Sequence, residues 1–357
     1  MTTNINITSV DVQINSLDQS ESSRLLKSYS KRDEKWDKHR SNTQSVGDIY
    51  STKAKHSKLA NRMKCCANWL GFGETKPDEH GEVKKKLVRA EFCHVRHCPL
   101  CQWRRSQRNT SKAFAKLPEI EAENPGLRWI FLTLTVKDPV MSDLRSTITE
   151  MNAAWKRLVR LKIWPAVGWL RSIEVTRDAN GDPHPHFHIM MCVKASYFKG
   201  KGYIKQRDWL QIWRDAMRDQ RITQVDVRVI KPKKDGFFNA SVIETIKYAF
   251  KPADIMKDPA FLFGLTEQLH GMRFIATGGI MKGMLVKEKM SDAEMIKGDE
   301  KPGEIDPEQQ LTFFKWNRVK RHYAQSSYKP GADRPQPAPG VIRKHDTETP
   351  KKHDTES

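Results

Sequence analysis

His184-Pro185-His186-Phe187-His188-Ile189-Met190-Met191 reads as a β-strand whose register decides what surrounds it. Side chains of a strand alternate between faces, so His186 and His188 project together while Phe187 points the other way, into a core. Three of the chain's 12 histidines stand in this stretch. The run that follows, Ile189-Met190-Met191-Cys192-Val193, is apolar enough to be buried, which three unrelated histidines on an exposed strand would not explain. Two neutral imidazoles on one face make half of a divalent-metal site.

A third ligand is expected from a neighbouring strand. Trp169-Leu170-Arg171-Ser172-Ile173-Glu174-Val175-Thr176-Arg177 is the candidate, joined to the histidine strand by the turn-rich Asp178-Ala179-Asn180-Gly181-Asp182-Pro183. A hairpin there brings the Glu174 carboxylate beside the imidazoles. Two nitrogens with oxygen and water suit Mn²⁺ or Mg²⁺ better than a structural zinc site, and the ligands alone do not choose between the two.

A second segment, Ser241 to Pro252, has Ile243, Ile246 and Phe250 at helical intervals and ends at a proline. On a helix Glu244 sits one turn before Tyr248, and Lys251 lies beside both. Taken alone, this is a surface helix with a charge pair and a half-buried tyrosine.

The histidine strand followed by a tyrosine helix about sixty residues later resembles the HUH endonuclease superfamily. More narrowly, the chain looks like the rolling-circle plasmid replication initiators with a single active-site tyrosine. Phe131-Leu132-Thr133-Leu134-Thr135 is similar to that family's first strand motif, and Tyr248-Ala249-Phe250-Lys251 to its tyrosine motif; the resemblance covers roughly residues 60 to 280. It implies that Tyr248 is a nucleophile, joined to the 5′ end of a nicked strand and leaving a 3′ hydroxyl that primes a polymerase. Such covalent catalysis conserves the phosphodiester bond energy, so the break is resealed without ATP. A cation on His186, His188 and Glu174 would polarise the scissile phosphate. In the family resembled, a glutamate in the place of Glu244 is the base that activates the terminating water, and Lys251 is a supporting residue. The implied partners are plasmid origin DNA, single-stranded at the nick, with host helicase and polymerase. Tyr197 and Tyr203 have no place in this scheme.

Upstream lie Cys65-Cys66 and Cys93-His94-Val95-Arg96-His97-Cys98-Pro99-Leu100-Cys101, which hold five of the six cysteines. Thiolates clustered in this way read as a zinc ribbon, where four converge on one Zn²⁺ ion. A thioredoxin-like redox pair would need a β-α-β setting that this basic segment lacks. Disulfides are disfavoured because the start Met1-Thr2-Thr3-Asn4-Ile5-Asn6 carries no apolar signal segment, and a reducing cytoplasm is expected. Cys66-Ala67-Asn68-Trp69-Leu70 and Cys98-Pro99-Leu100-Cys101-Gln102-Trp103-Arg104-Arg105 resemble family segments, which favours Cys66, Cys93, Cys98 and Cys101 as ligands. Cys65, His94 and His97 are the alternatives. The expected role is structural, bracing a DNA-binding lobe.

Composition agrees with a nucleic-acid partner. Lys+Arg 63 against Asp+Glu 43 gives +20, with pI near 9.7. The surplus gathers at Lys84-Lys85-Lys86, Arg89, Arg96, Arg104, Arg105 and Arg108, so the last four arginines are expected on DNA. Trp155, Trp164, Trp169, Trp209 and Trp213 offer stacking faces for bases, although aromatics at such spacing are more often core. No membrane partner is expected.

The expected fold class is α+β, an HUH nuclease domain with a ferredoxin-like antiparallel sheet, preceded by a zinc-ribbon-like cysteine module. Its elements are strand 129–136, helix 144–161, strands 169–176 and 186–193, helix 206–219, strand 224–230 and helix 242–250, with helices on one side of the sheet. The expected division is a polar, disordered or weakly helical extension over 1–50, a basic cysteine module over 51–125, the nuclease over 126–286 and a disordered tail over 287–357. One short helix at about 311–323, anchored by Phe313, Phe314 and Trp316, interrupts the tail. Two further readings stay open: an HUH transposase, and a noncatalytic zinc-ribbon DNA-binding regulator on a dead nuclease fold. Relaxases are disfavoured because their tyrosine precedes the histidines.

Overall fold

The computed structural model describes residues 24–199, 202–230, 242, 245–246, 250–285, 290–298 and 311–327. Helices α1 (Leu26–Tyr29), α2 (Lys35–Ser51) and α3 (Ser57–Cys65) lead into strands β1 (Trp69–Glu74) and β2 (Lys85–Ala90), then the long helix α4 (Pro99–Glu123). Next come β3 (Leu127–Thr135), α5 (Leu144–Leu158), β4 (Ala166–Arg177), β5 (Pro183–Lys194), α6 (Gln206–Met217) and β6 (Val225–Ile230). Helices α7 (Pro252–Lys257) and α8 (Pro259–Gln268), strand β7 (Ile275–Gly279), helix α9 (Asp292–Lys297) and strands β8 (Thr312–Asn317) and β9 (His322–Ser326) follow.

Five strands form an antiparallel sheet in the order β6-β3-β5-β4-β7. The four expected strands take the fourth-first-third-second order of the split β-α-β arrangement, and β7 extends the edge beside β4. One face packs Phe187, Ile189 and Met191 with Ile148, Met151 and Trp155 of α5 and Trp209 and Trp213 of α6. Phe187 lies 6.3 Å from the Trp155 ring and 6.2 Å from that of Trp213. Trp155, Trp209 and Trp213 are therefore core residues and not stacking faces.

The opposite face is covered too, which differs from the expected one-sided arrangement. Met190, Cys192, Leu170 and Trp129 cluster there with Ala113, Leu117 and Ile120 of α4 and with Val242 and Ile246. The cause is visible in β5, whose apolar run fills successive positions where alternation would leave one face wet.

A second antiparallel sheet, β2-β1-β8-β9, belongs to the cysteine region. Residues 311–323 are not a helix: Thr312–Asn317 is a strand paired with β1, and the chain turns back as β9. Phe313, Phe314 and Trp316 are all buried, so the strand packs on both faces, and a spacing of one and three residues is compatible with either element. Part of the expected tail is thus built into the fold, as is part of the expected extension. Helix α2 buries Trp36, Arg40, Thr43, Gly47 and Tyr50, a helical stripe that hydropathy misses because much of it is polar. Arg40 donates to the Lys64 carbonyl and the Asn68 side chain, both at 2.8 Å, and Trp316 donates to Gln44 at 2.9 Å. Helix α2 is thereby tied to both the cysteine loop and the β8-β9 hairpin.

Of the expected helix 242–250, Glu244 and Tyr248 lie outside the described residues, while Val242, Ile246 and Phe250 are buried.

Phe314 is fully buried between α1 and β1, in ring contact with Tyr29 and Phe72. Phe314→Ala should therefore destabilise the protein by about 3–5 kcal/mol in denaturant unfolding. Val319→Ala, at a 92% exposed position in the same hairpin, should change it by no more than about 0.5 kcal/mol. Equal effects would show that the hairpin is not part of the cooperative unit.

Candidate active site and metal centres

The β4-β5 register places Glu174 opposite His186 and Ser172 opposite His188. Alternation then puts Glu174, His186 and His188 on one face, directed away from α5 and α6. Glu174 Oε2 is 3.0 Å from His186 Nε2 and 2.8 Å from His188 Nε2, and the two nitrogens are 3.0 Å apart. All three residues are buried. Bonds of about 2.1 Å at right angles would separate neighbouring ligand atoms by about 3.0 Å, so the three atoms have the spacing of one triangular face of an octahedron.

Further groups orient the imidazoles. His186 Nδ1 donates to the His184 carbonyl at 3.2 Å, which frees Nε2 as a metal-facing lone pair. His188 Nδ1 faces Thr133 Oγ1 at 3.4 Å, across the register that pairs Thr133 with His188 and Thr135 with His186. Thr133 belongs to the Phe131–Thr135 stretch noted in the sequence, and the Phe131 ring lies 5.5 Å from that of His188. Sequence reasoning missed the Asp138 carboxylate, which hydrogen-bonds His184 Nδ1 next to this face. Its only signal was its place just after β3.

The hairpin turn sets the register. The Asp178 amide donates to the Asp182 carbonyl (2.9 Å), the Asp178 carboxylate accepts from the Asp182 amide (2.7 Å), and Gly181 takes φ +97°. A β-carbon there would also meet the Arg177 guanidinium at 2.8 Å. Lys251 is exposed just before α7, and its carbonyl accepts the Asp254 amide at 3.1 Å. Glu244 and Tyr248, outside the described residues, are not located relative to the triad.

The second centre gathers Cys66, Cys93, Cys98 and Cys101, all buried, with sulfur separations of 3.7 Å (Cys66 to Cys98) and 3.6 Å (Cys66 to Cys101 and Cys93 to Cys101). Four sulfurs about 2.3 Å from one ion would stand about 3.75 Å apart at tetrahedral corners, so the thiols fit such an ion. Cys66 ends α3, Cys98 caps the start of α4, and Cys101 lies in the first turn of α4. Burial raises the Cys66 and Cys93 thiols well above the usual thiol range, with neighbouring thiols adding to it for Cys66. Burial also pushes Cys98 up, but hydrogen bonds from Cys101, Cys66, Cys93 and the Thr43 hydroxyl outweigh it and hold Cys98 well below that range. The alternative ligands point elsewhere: Cys65 is exposed, His94 Nε2 bonds Asp292 at 2.6 Å, and His97 Nδ1 faces the Tyr50 hydroxyl at 3.1 Å.

Most of the arginines expected on DNA are used inside the protein. Arg96 donates to the Met272 carbonyl at 2.7 Å and lies over the Phe274 ring. Buried Arg104 donates to the Met295 and Ile296 carbonyls at 2.7 and 2.6 Å, and Arg108 pairs with Glu294 at 2.6 Å. These contacts fasten α4 to α9. Arg105 is half-buried on the same helix.

Two predictions test the centres. Glu174→Ala removes one of three donors and should weaken Mn²⁺ binding at least about tenfold in calorimetric titration, with the thiol-bound metal retained. Cys101→Ser should release one metal ion per chain by elemental analysis; full retention would move the ligand elsewhere.

The chain matches the family model described as Replication protein over residues 84–324. A Protein rep of Streptococcus pneumoniae serotype 2 is 30% identical over 301 residues, covering 82% of this chain and 92% of that protein. A Protein rep of Lentilactobacillus hilgardii is 34% identical over 280 residues (74% and 87%), and one of Staphylococcus aureus 32% over 195 residues (54% and 81%). No solved structure matches the chain. Among the described residues, no helix is long and apolar enough to cross a membrane. With two-thirds of its length under one family model and relatives matched nearly end to end, the chain belongs to the Rep family of replication proteins, the plasmid rolling-circle initiators that its motifs resemble.

Proposed function

We propose that this initiator is a metal-dependent nicking and closing enzyme of the HUH type, acting on one strand of its plasmid origin in the cytoplasm. The observation that carries the reading is the buried triangle of Glu174, His186 and His188, with ligand atoms 2.8–3.0 Å apart on one face of the sheet. The donor set of two imidazoles and a carboxylate, with the spacing of an octahedral face, favours Mg²⁺ or Mn²⁺ there, whereas four thiols at tetrahedral spacing favour Zn²⁺ at the cysteine centre. When bound at the triad, a divalent cation supplies Lewis-acid polarisation of the scissile phosphate.

The remaining work falls to this chain's side chains. The Tyr248 oxygen forms a new bond to phosphorus as the 3′ oxygen departs, so one phosphate ester replaces another and a 3′ hydroxyl is left to prime synthesis. An unperturbed phenol has a pKa of about 10, so its proton must be drawn away, and the Lys251 ammonium supports the phenolate that results. Glu244 acts at the end of the round as the base for the water that releases the chain from Tyr248. Host helicase and polymerase extend the strand.

Purified protein mixed with supercoiled DNA carrying its own gene and flanks, with Mn²⁺ or Mg²⁺, should give a nick whose 5′ end is bound to Tyr248, and EDTA should abolish it. Tyr248→Phe should lose the adduct with DNA binding nearly unchanged; an undiminished adduct would move the nucleophile elsewhere. Glu244→Ala should still nick but terminate poorly. Loss of the first nick would reassign Glu244 to metal binding or fold support. DNA that binds but stays uncut with either metal would favour a noncatalytic regulator.

A further inference from the structure

We infer that the cleft between the cysteine region and helices α5 and α8 clamps the phosphate backbone of duplex DNA beside the nick, through Lys53, Lys55 and Arg145. The inference deepens the reading of origin DNA as the partner and rests on it.

Arg96, Arg104 and Arg108 are spent on internal bonds, so phosphate contacts have to come from other cations. The sequence from Ile49 to Gly73 carries Lys53, Lys55, Lys58, Arg62 and Lys64 with no Asp or Glu, and all five are exposed. A facing wall turns this run into a site. An open cleft of about 490 Å³ separates Lys55, His56 and Leu59 on one side from Arg145, Glu267 and His270 on the other.

The cations of the cleft are held in place. The exposed Arg145 guanidinium donates to the Gln268 carbonyl at 2.7 Å and twice to the His270 carbonyl at 3.0 Å. Those three bonds leave part of its five-donor fork for a further acceptor. Lys53 Nζ stands 4.2 Å from the centre of the Phe263 ring, and Lys55 Nζ bonds Glu267 at 2.7 Å. Among the described residues, Glu267 is the only acid lining the cleft. Both partners of its pair with Lys55 are exposed, where an ion pair is weak and yields readily to a phosphate.

The aromatic residues decide between double and single strands. The His56 ring lies parallel to that of Phe263, with planes 4° apart and centres 5.1 Å apart, and the two residues are 5% and 6% exposed. Neither presents an open face to an unpaired base, which a groove for single strands would offer. Fixed charges without a stacking platform suit a backbone whose bases are already paired, and they position DNA without reading its sequence.

The test measures binding of the full chain to a fluorescein-labelled random-sequence duplex, and to one of its single strands, across a salt series. Lys53→Ala, Lys55→Ala and Arg145→Ala, singly and together, are compared with Arg207→Ala, an exposed position on α6 away from the cleft. Each cleft variant should weaken duplex binding about fivefold near 0.15 M salt and lower the salt slope by about one, with the triple variant about a hundredfold weaker. Arg145→Lys should keep most of the affinity. Single-strand binding and Mn²⁺ affinity should stay unchanged. Unchanged duplex binding would overturn the inference, as would an equal loss in Arg207→Ala, which would reduce the effect to net charge. An equal loss on the single strand would overturn the duplex assignment. Should Arg145→Ala fail to fold, the two lysine variants decide, since both side chains are exposed. Failure of the DNA reading is separate: the unaltered chain would then bind neither probe.

Discussion

The register among β3, β5 and β4 is the constraint on which the rest of the structure depends. Side chains in a sheet repeat every two residues, so a slip of one position would exchange the two faces of β5. Such a slip would drive the imidazoles into the α5-α6 core and turn Phe187 toward the site. The present register puts Glu174, His186, His188 and Thr133 on one side and Phe187, Ile189 and Ile173 on the other. Core formation and ligand convergence are therefore one event. A buried carboxylate is costly unless partnered. The two imidazole nitrogens stand 3.0 and 2.8 Å from the Glu174 carboxylate, and a cation held between the three groups would be the partner that makes its burial tolerable.

The parts of the fold governed by local periodicity were legible in the sequence. The β-α-β-β-α-β order and the place of Glu174 beside the two imidazoles follow from alternation, helical spacing and a turn-rich connection. Strand β7 and the β2-β1-β8-β9 sheet did not emerge, because they depend on pairings between distant segments. Trp69 on β1 lies opposite Lys315 on β8, a partner that no local window reveals. Helix α2 was hidden for another reason. Its buried face carries Arg40 and Thr43, whose burial is made possible by hydrogen bonds to Lys64, Asn68 and the cysteine loop, not by hydropathy. The convergence of Cys66, Cys93, Cys98 and Cys101 was likewise three-dimensional, since His94 and His97 have ligand chemistry too and only the fold shows them turned toward Asp292 and Tyr50.

The two candidate centres differ in how many positions they close. Four thiols at tetrahedral corners leave no room for a substrate, which suits a support. The triad takes only one triangular face, so an octahedral ion there would keep positions open for water or phosphate oxygen. His186 and His188 remain 8% exposed, consistent with a site that reaches the surface without being dissolved in it.

Charge has to be read with the same attention to place. A formal +20 invites assignment of every arginine near the cysteines to DNA. Yet Arg104 and Arg108 direct their donors at Met295, Ile296 and Glu294, and Arg96 at Met272. A guanidinium with several fixed donors is well suited to tying carbonyls from separate segments together. Here it fastens α4 to the chain that follows β7. The long-range field still draws in phosphates, because it depends on net charge more than on which atom a particular arginine touches. Steering toward DNA and internal bracing are thus compatible uses of one residue, and substituting Arg104 or Arg108 would disturb the support of α4 before it reported on any contact with DNA.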